Sequence, residues 1–251
     1  MPRKRLGRSW GSKVVSTNDV KNAKVHVLAW GDTGSGKTHL IGTAPRPFVI
    51  APEKGLLTLF NQDIPSIPIE DDMVIYDSIM AILDSAEKKE IMKDEDGNIL
   101  VDFNKIDTLC LDSMWKLSEM IKDEVDETSN DSFKAWGMLG TRMRKIISRM
   151  HSLGYHTITT CGEAVKADKM DDTLMLPVLN IQGGFRDQAM YLFDINLYMK
   201  AETRGRDTKY KGYTKPQNKR SAKSRVPLPT MIDDPNFQFI IDEVMKGLKE
   251  K

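Results

Sequence analysis

Apolar and polar positions along this chain alternate between short β-like runs and longer stretches with helical spacing. "KVHVLAW" (24–30) is a brief β-branched run and predicts a strand. "KTHLIGTA" (37–44) predicts a helix that must stop before Pro45. "RPFVIAP" (46–52) predicts a second strand closed by proline, followed by "EKGLLTLF". Residues 85–105 are polar, with Asp96-Gly97 as a turn signal, and predict an exposed excursion or small hairpin. "IDTLCLD" (106–112) is almost continuously apolar, as suits a strand covered on both faces. "SMWKLSEMIKDEVDE" (113–127) predicts a helix with Trp115, Leu117, Met120 and Ile121 roughly on one side. "FKAWGMLGTRMRKIISRMHSLG" (133–154) predicts another amphipathic helix, with Gly154 as its C-terminal stop. "YHTITTCG" (155–162) and "MYLFDINLYMKA" (190–201) predict a fourth and a fifth strand, and a short helix closes the chain. Strands alternating with helices imply an α/β fold: a mostly parallel sheet with helices on both faces. We expect one such domain over 23–251, preceded by a flexible basic arm at 1–22.

Composition narrows the class. At 251 residues, with 40% hydrophobic and 29% charged residues, the chain is long enough for one well-filled core. No apolar stretch approaches the roughly 18 to 20 residues of a membrane helix, and the basic N-terminus has no apolar signal region. Cys110 and Cys161 lie in apolar runs with no zinc-site spacing, which predicts reduced, buried thiols and a cytoplasmic protein without a membrane partner.

The chemistry lies in "GDTGSGKTH", residues 31–39. Gly31, Gly36, Lys37 and Thr38 match G-x-x-x-x-G-K-[ST] without a mismatch. Accident would produce the pattern in a chain this long about once in a hundred. In such a loop the backbone N–H groups of Gly31, Asp32, Thr33, Gly34, Ser35, Gly36 and His39 curl around phosphate oxygens, with the start of the following helix beneath. Lys37 reaches the β- and γ-phosphates, and the Thr38 hydroxyl ligates Mg²⁺. ATP (or its product ADP) with Mg²⁺ is therefore the expected ligand, with other nucleoside triphosphates left open. A second strand must end in a carboxylate for the metal, and Asp112 in "TLCLDS" supplies it. Ser113 stands where many hydrolases of this kind carry a glutamate, so a carboxylate that activates water must come from elsewhere.

The element order resembles the RecA-like recombinase fold, over roughly residues 24–240. In that family a glutamate after the second strand polarises the attacking water, and Glu53 in "PFVIAPEKG" takes that place. "DTLCLDSMWKL" resembles the family's metal-binding strand. "HTITTCGEAVK" resembles the strand whose end senses the γ-phosphate, with Glu163 where the recombinases carry glutamine. "SAKSRVPLP" resembles a segment that reaches a neighbouring subunit's ATP, which would make Lys223 and Arg225 catalytic in trans. The layout is most similar to the short RecA-like proteins of bacteriophages. The resemblance implies a homo-oligomeric ring or filament acting in recombination or strand annealing, together with a single-stranded-DNA-binding protein.

Nucleic acid has an expected seat as well. Residues 200–225 hold ten basic residues against two acidic ones, with Tyr210 and Tyr213 interleaved. Cations that neutralise phosphates beside rings that stack on bases suit single-stranded DNA. The candidate contacts are Arg204, Arg206, Lys209, Tyr210, Lys211, Tyr213, Lys215, Lys219 and Arg220. Arg186, in a glycine-containing stretch expected to be a mobile loop, is a further one. The expected activity is ATP hydrolysis that is slow without DNA and neighbouring subunits. A P-loop kinase of a small molecule and a nucleotide-dependent assembly factor are the rival readings.

Overall fold

The computed structural model describes residues 23–53, 55–70, 74–129, 131–168, 171, 173–205 and 207–249. The basic arm expected at 1–22 and the candidate contact Arg206 lie outside the described residues, as does the side chain of Arg204. The elements run β1 (His26–Gly31), α1 (Lys37–Gly42), β2 (Pro47–Ala51), β3 (Ser66–Pro68), α2 (Ile75–Glu87), β4 (Ile91–Lys93), β5 (Ile99–Asp102), β6 (Thr108–Leu111), α3 (Met114–Thr128) and α4 (Ser132–Ser152). They continue with β7 (His156–Ala167), β8 (Met175–Leu179), α5 (Arg186–Ala189), β9 (Ile195–Arg204), β10 (Asp207–Tyr213), β11 (Lys223–Ser224), β12 (Met231–Asp233) and α6 (Phe237–Lys249).

The main sheet has the order β12-β10-β9-β1-β7-β6-β2-β3. From β9 to β3 every neighbouring pair is parallel, while β10 and β12 complete an antiparallel edge. The mostly parallel sheet with helices on both faces is the α/β architecture expected from the sequence. Alternation along β1 assigns the two faces. Leu28 and Trp30 pack with α2, α3 and α4, whereas Val27 and Ala29 pack with α1 and α6. Leu139, Met143, Ile146, Ile147 and Met150 of α4 recur at helical spacing and are all buried against the first face. Leu40, Ile41, Phe237, Ile240 and Val244 cover the second. Asp131 caps α4, accepting from the backbone N–H of Phe133 at 3.0 Å. Among the described residues, no helix is long and apolar enough to cross a membrane.

Several expectations change in detail. Helix α1 ends at Gly42, two residues short of the predicted run, where Thr43 and Ala44 hydrogen-bond back to Leu40 and Ile41. Helix α2 covers a stretch with no predicted element, although Ile75, Ile79, Ile82, Leu83 and Ala86 are spaced for one buried face. The polar excursion is the hairpin β4–β5, its turn closed by Asp94 accepting from the Asn98 N–H at 2.8 Å. Strand β7 does not stop at Gly162 but runs on to Ala167, because β8 pairs antiparallel with its outer half. The predicted mobile loop is thus strand β8 followed by α5, held by buried Leu179, Ile181 and Phe185. Met190–Leu192 forms a 3₁₀ turn, so the fifth strand begins only at Ile195. The basic stretch is the hairpin β9–β10 with a loop running to β11.

Candidate active site

β1 ends at Gly31, wedged between Gly162 of β7 and Met199 of β9. A Cβ there would stand 2.2 Å from the Met199 carbonyl oxygen, so only glycine fits the closing strand. Asp32 then turns the chain, its carbonyl accepting from the Ser35 N–H at 3.2 Å and its Oδ1 from the Thr33 N–H at 2.8 Å. Lys37 Nζ folds back over the loop and donates to the carbonyls of Gly31 (3.1 Å) and Asp32 (2.7 Å) and to Ser35 Oγ (3.3 Å). These are the positions from which an anion cradled by the loop would draw the ammonium. Burial lowers the Lys37 pKa, against the opposing field of Asp112 and, more weakly, Glu53 and Asp32.

The next residue reaches the second strand. Thr38 Oγ1 donates to Asp112 Oδ2 at 2.9 Å, although 74 residues separate them. Asp112 is 6% exposed, and Thr160 of β7 donates to its other oxygen. Burial raises the Asp112 pKa, while the two threonine hydrogen bonds and Lys37 pull it down. A hydroxyl and a carboxylate meeting beside a phosphate loop are the hard oxygen donors that Mg²⁺ takes, so this donor pair fits the metal. Among the described residues, no cluster of three or more His, Cys, Asp or Glu forms a dedicated metal cage.

Glu53, just past the end of β2, is brought to the same place. Its backbone N–H donates to the Asp112 carbonyl at 3.2 Å. Its Oε2 accepts from Ser113 Oγ at 2.8 Å and from Trp115 Nε1 at 3.1 Å. Sequence reasoning placed Trp115 only on the apolar side of a helix and gave no role to Ser113 or Thr160. Their signal was the polar end of an otherwise apolar strand, which periodicity alone does not interpret.

A family model described as an AAA domain, AAA_24, matches residues 23–226. The chain belongs to this AAA domain family. The phosphate loop, the carboxylate of Asp112 and the intervening strands all fall inside the matched span, and the AAA domain is a P-loop nucleotide-binding ATPase domain. A KaiC-like protein from the hyperthermophilic archaeon Pyrococcus horikoshii OT3 is similar in structure at 12% identity and a TM-score of 0.42, with 84% of this chain and 89% of that one covered. No curated protein matches the chain in sequence.

The remaining candidate residues of this AAA domain divide by place. Glu163 follows Gly162, the partner of Gly31, and so borders the phosphate loop. It is not at a strand end, and Arg220 grips it with two hydrogen bonds of 2.9 and 2.6 Å. Arg220, expected at the nucleic-acid surface, is thereby drawn to the nucleotide side, its guanidinium over the Tyr198 ring at 5.2 Å. Lys223 and Arg225 are not brought to the chain's own site. Lys223 pairs with Asn196 near the start of β9, and Arg225 binds Asp194 at 3.0 Å, at the level where β1 begins. Lys211 is paired with Glu202 at 2.9 Å, and Arg186 lies 3.5 Å from Asp187. Tyr213 is stacked on Tyr198 rather than presented outward. Lys209, Lys215 and Lys219 are exposed. Tyr210 and His39 face each other at the phosphate loop, with ring centroids 5.5 Å apart.

Asn104-Lys105-Ile106-Asp107 spells N-K-x-D, the guanine-selecting signature of GTPases. It precedes β6, at the opposite end of that strand from Asp112. Asn104 donates to the Lys89 carbonyl and Asp107 accepts from Arg46, so the tetrapeptide ties the approach to β4 and the start of β2 together, at the end of the sheet away from Asp112.

Proposed function

We propose that the chain hydrolyses ATP with Mg²⁺ as an oligomer and couples that hydrolysis to single-stranded DNA, in recombination or annealing of the bacteriophage type. The observation that carries the hydrolytic part is the convergence of Thr38 and Asp112 at 2.9 Å beside Lys37 and Glu53. In this reading the loop 31–36 and Lys37 hold the triphosphate, and Lys37 offsets charge that builds on the β–γ bridge. Thr38 and Asp112 would hold Mg²⁺, whose contribution is to neutralise phosphate charge. Glu53 orients a water and accepts its proton as the water oxygen bonds to the γ-phosphorus. The bond from that phosphorus to the bridging oxygen breaks, and ADP leaves with the electron pair. Ser113 and Trp115 fix the carboxylate through Oε2, which leaves Oε1 to face the water.

The DNA part is supported by the cationic stretch 200–225, where Lys209, Lys215 and Lys219 are exposed. Oligomerisation is supported by the distance of Lys223 and Arg225 from the chain's own loop, since cations on that flank serve a nucleotide only across a subunit boundary. The test is ATP turnover and solution mass with and without a single-stranded oligonucleotide. Lys37→Ala should abolish turnover. Glu53→Gln should lower kcat by about 10²–10⁴ while ATP affinity holds. Turnover unchanged in Lys37→Ala would sink the site, and a monomer indifferent to DNA would sink the rest.

A further inference from the structure

The groups described above account for a triphosphate but not for the nucleoside attached to it. Asp112 and Glu53, which mark the γ end, come from the β6 and β2 side of β1. The nucleoside must then leave toward the other side of β1, where β9 and β10 lie. There Tyr210 of β10 turns its ring onto the phosphate loop. A Cβ added to Gly36 would stand 2.6 Å from Tyr210 Cδ1 and 2.7 Å from Cγ, so the ring lies directly against that backbone. His39, the residue after Thr38, faces the same ring at an interplanar angle of 32°.

The backbone of Tyr210 is fixed: its N–H donates to Asp234 Oδ1 at 3.2 Å, and its carbonyl accepts from the Asp234 N–H at 2.8 Å. Its ring is only half-buried. An anchored backbone carrying a partly open ring beside the α-phosphate end of the loop is a place for a flat aromatic ligand.

We infer that Tyr210, flanked by His39, is the platform on which the nucleobase of the bound nucleotide stacks. The inference rests on the phosphate loop being the triphosphate site. It moves Tyr210 from the nucleic-acid surface, where sequence placed it, into the nucleotide site. Stacking on a ring face tolerates any base, and the larger purines gain more from it than pyrimidines.

The experiment is calorimetric titration of the full chain, in the presence of Mg²⁺, with ATP, CTP and inorganic tripolyphosphate. Tyr210→Ala should weaken ATP about tenfold and CTP less. Tripolyphosphate, which has no base, should hold within about twofold. Tyr210→Phe should keep ATP affinity near wild type, because the ring remains. Equal losses for ATP and tripolyphosphate would make Tyr210 a structural support of the loop and overturn the inference. So would unchanged ATP affinity, including the case in which Tyr210→Ala weakens an oligodeoxythymidylate instead. Lys37→Ala separates the two levels. If it binds ATP and tripolyphosphate like wild type, the phosphate-site reading fails and takes the inference with it. If it loses both ligands while Tyr210→Ala loses neither, the inference alone fails.

Discussion

Replacing Gly31 by alanine tests how tightly the phosphate loop is built into the sheet. At φ +154° the residue lies in the region that side chains avoid, and its Cβ would stand 2.2 Å from the Met199 carbonyl oxygen and 3.1 Å from Ser35 Oγ. Ordinary contact begins at 3.4 Å, so relief requires β9 to move by on the order of 1 Å. Strand β9 is tied to β1 by five residue pairs and to β10 by seven, so it cannot yield without stretching ladder hydrogen bonds. Backbone strain of about 1–2 kcal/mol and two or so weakened hydrogen bonds at about 1 kcal/mol each give a loss near 3–4 kcal/mol. That is a large share of the roughly 5–15 kcal/mol that holds a domain together. Gly34→Ala is the control: its φ is +74°, but among the described residues nothing lies within 4 Å of the added carbon. It should lose only the strain, about 1–2 kcal/mol. Urea unfolding midpoints of the two variants read the difference directly. If Gly31→Ala costs no more than Gly34→Ala, the steric account of the loop is wrong.

The buried histidines predict acid sensitivity. Burial holds the His151 pKa down at about 3 and that of His156 at about 4, against an ordinary 6.5. The folded chain keeps both neutral while the unfolded chain protonates them. Their stabilising contribution is therefore complete above pH 6.5 and is lost as pH falls toward 4, by about 2 kcal/mol per histidine at pH 5. His156→Gln should flatten that loss between pH 7.5 and 5; an unchanged pH dependence would refute it. The Glu163–Arg220 pair should behave as a unit, because Glu163 is 10% exposed and the contact is bidentate. A double-mutant cycle with Glu163→Gln and Arg220→Gln should give a coupling of about 1–3 kcal/mol, and additive losses would dissolve the pair. For DNA, glutamates at Lys209, Lys215 and Lys219 should lower the salt slope of single-strand binding by about 0.7 per lost phosphate contact. Lys211→Gln should matter less, since that lysine is already paired with Glu202. Equal effects from the paired and the exposed lysines would contradict the surface assignment.

The sheet was readable because its strands are apolar on both faces and bounded by glycine, proline or charge, as in "TLCLDS". The phosphate loop was readable because its residue types and spacing are dictated by phosphate geometry. What stayed hidden depends on residues distant in sequence. Nothing local says that Arg220 will reach Glu163, or that Trp115 will turn its indole N–H to Glu53. Strand β8 was masked because its partner is the outer half of β7, whose burial is intermittent and carries no strong period. Tyr210 looked like its neighbours in a basic stretch. The register with Ala201 puts it on the loop-facing side, while Lys209 and Lys211 take the other.

Strand β7 lies between the strand that ends in the phosphate loop and the strand that ends in Asp112. Two interstrand steps, about 10 Å, therefore separate Gly31, where β1 ends, from the end of β6. The intervening strand brings the Thr160 hydroxyl to Asp112, beside the Glu53 carboxylate that Ser113 and Trp115 hold. The gap that the sheet order leaves is thus crossed by α1, whose Thr38 is the bridge from the phosphate loop to Asp112.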